Sequence, residues 1–187
     1  MRDPHFYLVG DYPKADSFRN SVLPLLGDNS GAVEVSNVKA IHTEWDWQSE
    51  NVQVRNLKTF LIYEIKKNFD YSLVDNSSTS LDIVNFWGNV YNKGDYAQEH
   101  NHWPFHYSLV YFLKTKWYYS SLMFTDFGEK VRPKEGKFVV FPGHLLHSVP
   151  KHRYNETRIT LSGNLYYNEV CRESWLSNSD KWEVSLI

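Results

Sequence analysis

Apolar residues recur along this chain with two different periods, and the change falls near residue 80. In SENVQVRNLKTFLIYEIKKNF, residues 49–69, Val52, Leu57, Leu61, Ile65 and Phe69 follow one another at steps of four or five. That rhythm puts them on one face of a helix, predicted over 50–69 with Ser49 as its N-cap. Upstream, ADSFRNSVLPLLGDN (15–29) predicts a shorter helix that Gly27 ends. The polar run DNSSTS, 75–80, reads as a flexible connection. Beyond it the texture becomes β. LDIVNFWGNVYN (81–92), FHYSLVYFLK (105–114), WYYSSLMFTD (117–126), GKFVVFPG (136–143) and ETRITLSGNLYYN (156–168) are short segments rich in β-branched and aromatic residues. Turns of Gly, Pro, Lys and Asp divide them, and no helix intervenes. Strands at this spacing predict a sandwich or barrel of the jelly-roll kind. The expectation is one mainly β domain over 1–187: a helical N-terminal section (1–80), a β core (81–170) and a C-terminal tail (171–187).

Composition narrows the function classes. The chain is 42% hydrophobic and 17% aromatic, which suits an aromatic-rich interior and a ligand pocket lined by rings. Twenty basic residues against 22 acidic ones leave a net charge of −2, so nucleic acid is not a favoured partner except through a local patch. The single cysteine, Cys171, cannot form an intrachain disulfide and reads as a small packed residue. No apolar run is long enough for a signal peptide or a membrane span, so a soluble, cytoplasmic protein is expected.

The chemistry concentrates in GDYAQEHNHWPFHYSLVYFLK, 94–114, which holds His100, His102 and His106. On a strand, His100 and His102 share a face about 6.5 to 7 Å apart, close enough to converge on one metal ion. Pro104 breaks the run, so His106 is free to point elsewhere. A third ligand is available about 45 residues on, in FPGHLLHSVP, from His144 or His147. Two neighbouring ligands and one distant one leave coordination positions open for substrate and oxygen. Taken singly, each histidine is more often a surface or core residue than a ligand.

The ordered set carries more. Tyr91 precedes a turn with Gly94, then comes His-x-His, a strand, the FPG turn at 141–143, a distal histidine, and Arg158 about ten residues later. Over about residues 85 to 168 this resembles the small 2-oxoglutarate- and iron(II)-dependent oxygenases, especially prolyl-4-hydroxylase-like and phage- or bacteria-borne members. The resemblance implies a double-stranded β-helix, the cupin-like jelly roll, in agreement with the strand reading. It implies His100 and His147 as iron ligands, with His144 a bystander. It also implies that Arg158, with Thr160 as companion, binds the distal carboxylate of 2-oxoglutarate. Arginine suits that task because its planar fork makes two charge-assisted bonds to one carboxylate. Tyr91 is readable equally as a cosubstrate contact or as an ordinary buried tyrosine, and Tyr111 is a weaker candidate of the same kind. Trp87 and Trp103 are readable as the lining of a substrate pocket or as core, and core is the favoured reading. The implied reaction uses Fe(II), O2 and 2-oxoglutarate, releases succinate and CO2, and hydroxylates a primary substrate that the sequence does not identify.

One position departs from the resemblance. Most such enzymes have Asp or Glu where this chain has His102, and that carboxylate offsets part of the iron charge. His102 ligates in its place, or leaves the position to water or an anion, or yields to Glu99 or Asp95. Ligation is the favoured reading, because His-x-His also occurs among the phage and bacterial members. Two other classes stay open: a cupin-like three-histidine dioxygenase that does not use 2-oxoglutarate, and a non-catalytic metal-binding jelly roll. Arg158 and Thr160 speak against the former, which needs no distal carboxylate anchor.

Overall fold

The longest alternating segments of the sequence become the spine of the molecule. In the computed structural model, which describes residues 7–26, 33–69 and 79–169, strand β4 (Thr79–Tyr91) runs antiparallel to β11 (Arg158–Glu169), with Arg158 opposite Tyr91. On the other side of β11 lies β6 (Tyr107–Lys114), and beyond it β9 (Lys137–Pro142) and β1 (Leu8–Asp11). From β4 the sheet continues through β3 (Val38–His42), β5 (Tyr96–His100), β10 (His147–Val149), β7 (Leu122–Phe124) and β8 (Glu129–Val131); β2 (Val33–Val35) pairs with β3. Every strand pairing in this sheet is antiparallel.

Period-two alternation then sorts the side chains into two cores. One face of β4, β6, β9 and β11 presents Phe86, Leu109, Tyr111, Phe138, Val140, Leu161 and Leu165 to the helices, where they meet Phe18, Val22, Leu57, Leu61 and Ile65. The other face presents Tyr91, Val110, Phe112, Val139 and Phe141 to Leu122, Phe124, Val131 and Val149 from the far strands. A sheet that curls back on itself so that its inner face closes over a second core is a jelly roll, the double-stranded β-helix expected from the sequence.

Helix α2 (Val52–Asn68) begins two residues later than predicted. Its cap is Asn51, whose side chain accepts from the N–H groups of Gln53 (2.9 Å) and Val54 (3.3 Å), not Ser49. Helix α1 (Ala15–Val22) passes into a 3-10 turn over Leu23–Leu26. Gly27, most of 75–80 and the tail 171–187 lie outside the described residues. The segment expected to be helical also supplies β1, β2 and β3. In the other direction, the strand predicted over 117–126 contracts to β7, its aromatic first half forming a loop. Among the described residues, no helix is long and apolar enough to cross a membrane.

Candidate metal centre

His100, His102 and His147 converge, each offering a ring nitrogen within 4.8 Å of the other two. Three separate local devices bring them together. His147 opens β10 and sits directly opposite His100, the last residue of β5. The next inward pair along these strands is Ala97 opposite Val149, so β5 spends three residues where β10 spends two. This bulge keeps His100 facing inward although it stands an odd number of residues from Ala97. His102 lies beyond the strand, not on it as the alternation argument assumed. Its position comes from a turn: its N–H donates to the Gly143 carbonyl (2.7 Å), and its own carbonyl accepts from Phe105 (2.9 Å).

The ring tautomers are set by backbone carbonyls. Nδ1 of His100 donates to the Gln98 carbonyl (2.7 Å), and Nδ1 of His147 donates to that of Leu145 (3.0 Å). A carbonyl can only accept, so each Nδ1 carries the proton and each Nε2 keeps a lone pair for a metal. Burial holds the imidazoles neutral. It pushes His147 down to about 3, with the neighbouring His100 adding to the effect. His102 is lowered well below its ordinary value, first by burial and then by its two histidine neighbours, against a side-chain hydrogen bond that the ring donates to Asn164. No carboxylate joins the cluster among the described residues. Glu99 is exposed, and the Asp95 carboxylate is occupied by the Asn92 N–H (2.8 Å).

The second feature of this interior is Arg158. It is 0% exposed, and none of its three guanidinium nitrogens has a well-formed hydrogen bond. The group lies over the ring of Tyr91 (4.7 Å to the centroid) and near that of Phe112 (5.6 Å). Burial raises the Tyr91 hydroxyl above its ordinary value, and the charge of Arg158 opposes this. A side-chain hydrogen bond between the two acts in the same direction, although its geometry is too loose to satisfy any of the guanidinium nitrogens fully. An unpaired buried cation costs several kcal/mol. An anion arriving between these strands would remove that cost.

These observations frame the comparisons with known proteins. The viral collagen prolyl hydroxylase of Paramecium bursaria Chlorella virus-1, solved as a complex with 2OG, matches with a TM-score of 0.67 at 14% identity, covering 87% of this chain and 97% of its own. A prolyl-4-hydroxylase of Pseudomonas putida matches at 0.65 and 16%, covering 87% and 93%. A Trichoplax adhaerens prolyl hydroxylase, in complex with a hypoxia inducible factor oxygen degradation domain peptide fragment, matches at 0.61 and 11%, covering 88% and 84%. The fold is that of the prolyl hydroxylases. No family model and no curated protein matches the sequence.

On this prolyl-hydroxylase fold, the inner face of β11 forms a polar row between its neighbours. Thr160 stands between Asn89 and Phe112, Ser162 between Trp87 and Val110, and Asn164 between Asn85 and Ser108. The row runs from Arg158 at one end to Asn164, the partner of His102, at the other. Among the tyrosines, Tyr91 is at the site and Tyr111 is not: Tyr111 faces the helices, against Phe18 (5.4 Å). His144 is exposed, and His106 packs on Tyr166 and Tyr167 instead of joining the cluster. The core reading holds for Trp87 and fails for Trp103. Trp103 is 74% exposed, whereas Trp87 is buried with its ring 5.9 Å from that of His102. Asn164, Ser162 and Asn89 escaped the sequence reading. For Ser162 and Asn164 the signal is R-I-T-L-S-G-N at 158–164, where polar and apolar residues alternate on a strand buried on both faces; Asn89, on β4, stands outside it.

Gly143 accounts for the FPG turn. A Cβ there would meet the Phe105 carbonyl oxygen at 2.1 Å and its carbon at 2.9 Å, both backbone atoms with nowhere to retreat. Gly143→Ala should therefore cost about 1–3 kcal/mol of stability, the usual range for overpacking. Because the same contact places His102, it should also weaken iron binding. Urea unfolding and anaerobic iron titration check the two effects, and unchanged iron affinity would separate the turn from the centre.

Proposed function

We propose that this chain is an iron(II)- and 2-oxoglutarate-dependent oxygenase, with His100, His102 and His147 holding the metal and Arg158 anchoring the cosubstrate. The observation that carries this reading is the buried, unpartnered guanidinium of Arg158, which lies on the same inner sheet face as a cluster of three neutral imidazoles. Three neutral donors leave the charge of a bound divalent ion uncompensated. The interior would then carry that charge at one end and Arg158 at the other, an environment matched to a dicarboxylate. When bound, iron(II) and 2-oxoglutarate would supply the oxidising chemistry with O2 as the oxidant: one oxygen atom enters succinate as the cosubstrate loses CO2, and the other goes to the primary substrate. The protein's own groups do the rest. Arg158 fixes the distal carboxylate, the rings of Tyr91 and Phe112 keep water off that contact, and the Gln98 and Leu145 carbonyls orient two of the ligands.

Purified protein supplied with Fe(II) and 2-oxoglutarate under air should form succinate, and omitting iron or oxygen should stop it. The neutral triad alone also suits a three-histidine dioxygenase that chelates its substrate directly. Oxygen consumption that ignores 2-oxoglutarate would favour that second reading over the first.

A further inference from the structure

Four rings form a continuous wall from solvent to the metal centre. Trp45, 41% exposed, meets His42 at 4.6 Å and Trp87 at 4.8 Å between ring centroids. His42 stacks on Trp87 at 5.5 Å, and Trp87 in turn adjoins His102. The exposure of Trp45 is not that of a loose loop. The Thr43 N–H donates to Gly88 (3.0 Å), Phe86 to Trp45 (2.7 Å) and Trp47 to Phe86 (3.0 Å), while the Gly88 N–H donates to Thr43 Oγ1 (2.9 Å). The backbone of this segment is thus tied to β4, and the faces of the Trp45 indole stand two ring contacts from His102. Such faces bind flat rings by stacking and tolerate differences in ring chemistry.

A second observation adds a polar requirement. Asn89 is buried, stands two residues from Trp87 on the same face of β4, and lies opposite His42. Its Nδ2 donates to Ser162 Oγ (3.2 Å), but its Oδ1 has no partner. A buried acceptor without a donor is costly to leave unmet. 2-Oxoglutarate would not meet it, because a ketone and two carboxylates only accept.

We propose that the Trp45–His42–Trp87 wall is the primary-substrate subsite, and that it takes a flat aromatic or heteroaromatic ring bearing an O–H or N–H donor that reaches Asn89. This rests on the oxygenase reading of the histidine centre, so the test keeps the two apart. Phenol, anisole and cyclohexanol separate the flat face from the donor. Each is titrated calorimetrically into the full chain loaded anaerobically with Fe(II) and 2-oxoglutarate, and into the metal-free chain. Phenol should bind at least about tenfold more tightly than cyclohexanol and several-fold more tightly than anisole. Trp45→Ala should lower phenol affinity about tenfold, within the range of a lost stacking contact, and Trp45→Phe should recover most of it. Cyclohexanol binding as well as phenol, or Trp45→Ala without effect, overturns the proposal. Succinate formation after air is admitted reports on the other reading: ring binding without turnover sinks the oxygenase and keeps the wall, and turnover without ring preference does the reverse.

Discussion

His147→Ala should yield a folded protein that no longer holds iron. The imidazole is buried, its Nδ1 is committed to the Leu145 carbonyl, and its ring lies 4.3 Å from that of His100. Nothing nearby replaces it, since His144 is exposed and no carboxylate approaches among the described residues. Losing a partner one shell further out already costs about 10- to 100-fold in metal affinity, so losing a ligand should exceed that. His102→Ala should fall at or above the same range if His102 ligates, and His102→Asp should keep measurable binding by restoring a charged donor. Anaerobic iron titration ranks the variants, with circular dichroism confirming the fold. His147→Ala binding iron as tightly as the parent would remove the centre altogether. His102→Ala matching the parent would instead give its position to water or an anion.

The parts of this centre that could be read from sequence are those set by period and order. The β core was legible because Leu109, Tyr111, Val139 and their neighbours, buried on both faces of their strands, form short runs of β-branched and aromatic residues between turn signals. The order of Tyr91, His100, His147 and Arg158 predicted which residues meet. What escaped depends on register and turns. The alternation argument brought His102 beside His100 for the wrong reason, since a bulge and a clamp on Gly143 do the positioning. Strands β1 and β3 were hidden because they are short and draw their stability from longer strands far along the chain: Leu8 pairs with Val140, and Ile41 with Val90; β2 is shorter still and pairs with β3. Trp87 is buried as read, but composition cannot say that its face of the strand looks onto the histidine cluster.

Arg158→Ala should raise the dissociation constant for 2-oxoglutarate at least about tenfold while leaving iron binding alone. Truncating one partner of a desolvated charge pair costs about 2 to 5 kcal/mol, because the other charge stays buried without a counterion. About 1.4 kcal/mol already makes a factor of ten. Arg158→Lys should recover only part of the loss, since it keeps the charge but not the fork. The substitution also has a signature in the protein without cosubstrate. There Arg158 is a fully buried cation whose nitrogens lack a well-formed hydrogen bond; burial lowers its affinity for the proton, and only the Tyr91 hydroxyl opposes this. Replacing a buried, unpaired charge by an apolar side chain of similar volume relieves that cost. Arg158→Met should therefore melt at or above the parent without 2-oxoglutarate, and lose the rise in melting temperature that 2-oxoglutarate gives the iron-loaded parent. Anaerobic titration and thermal unfolding, each with and without 2-oxoglutarate, measure both effects on the same samples. Equal affinities in parent and variant would mean that Arg158 does not hold the cosubstrate. A variant that melts far below the parent without it would mean that the guanidinium is satisfied by the protein itself.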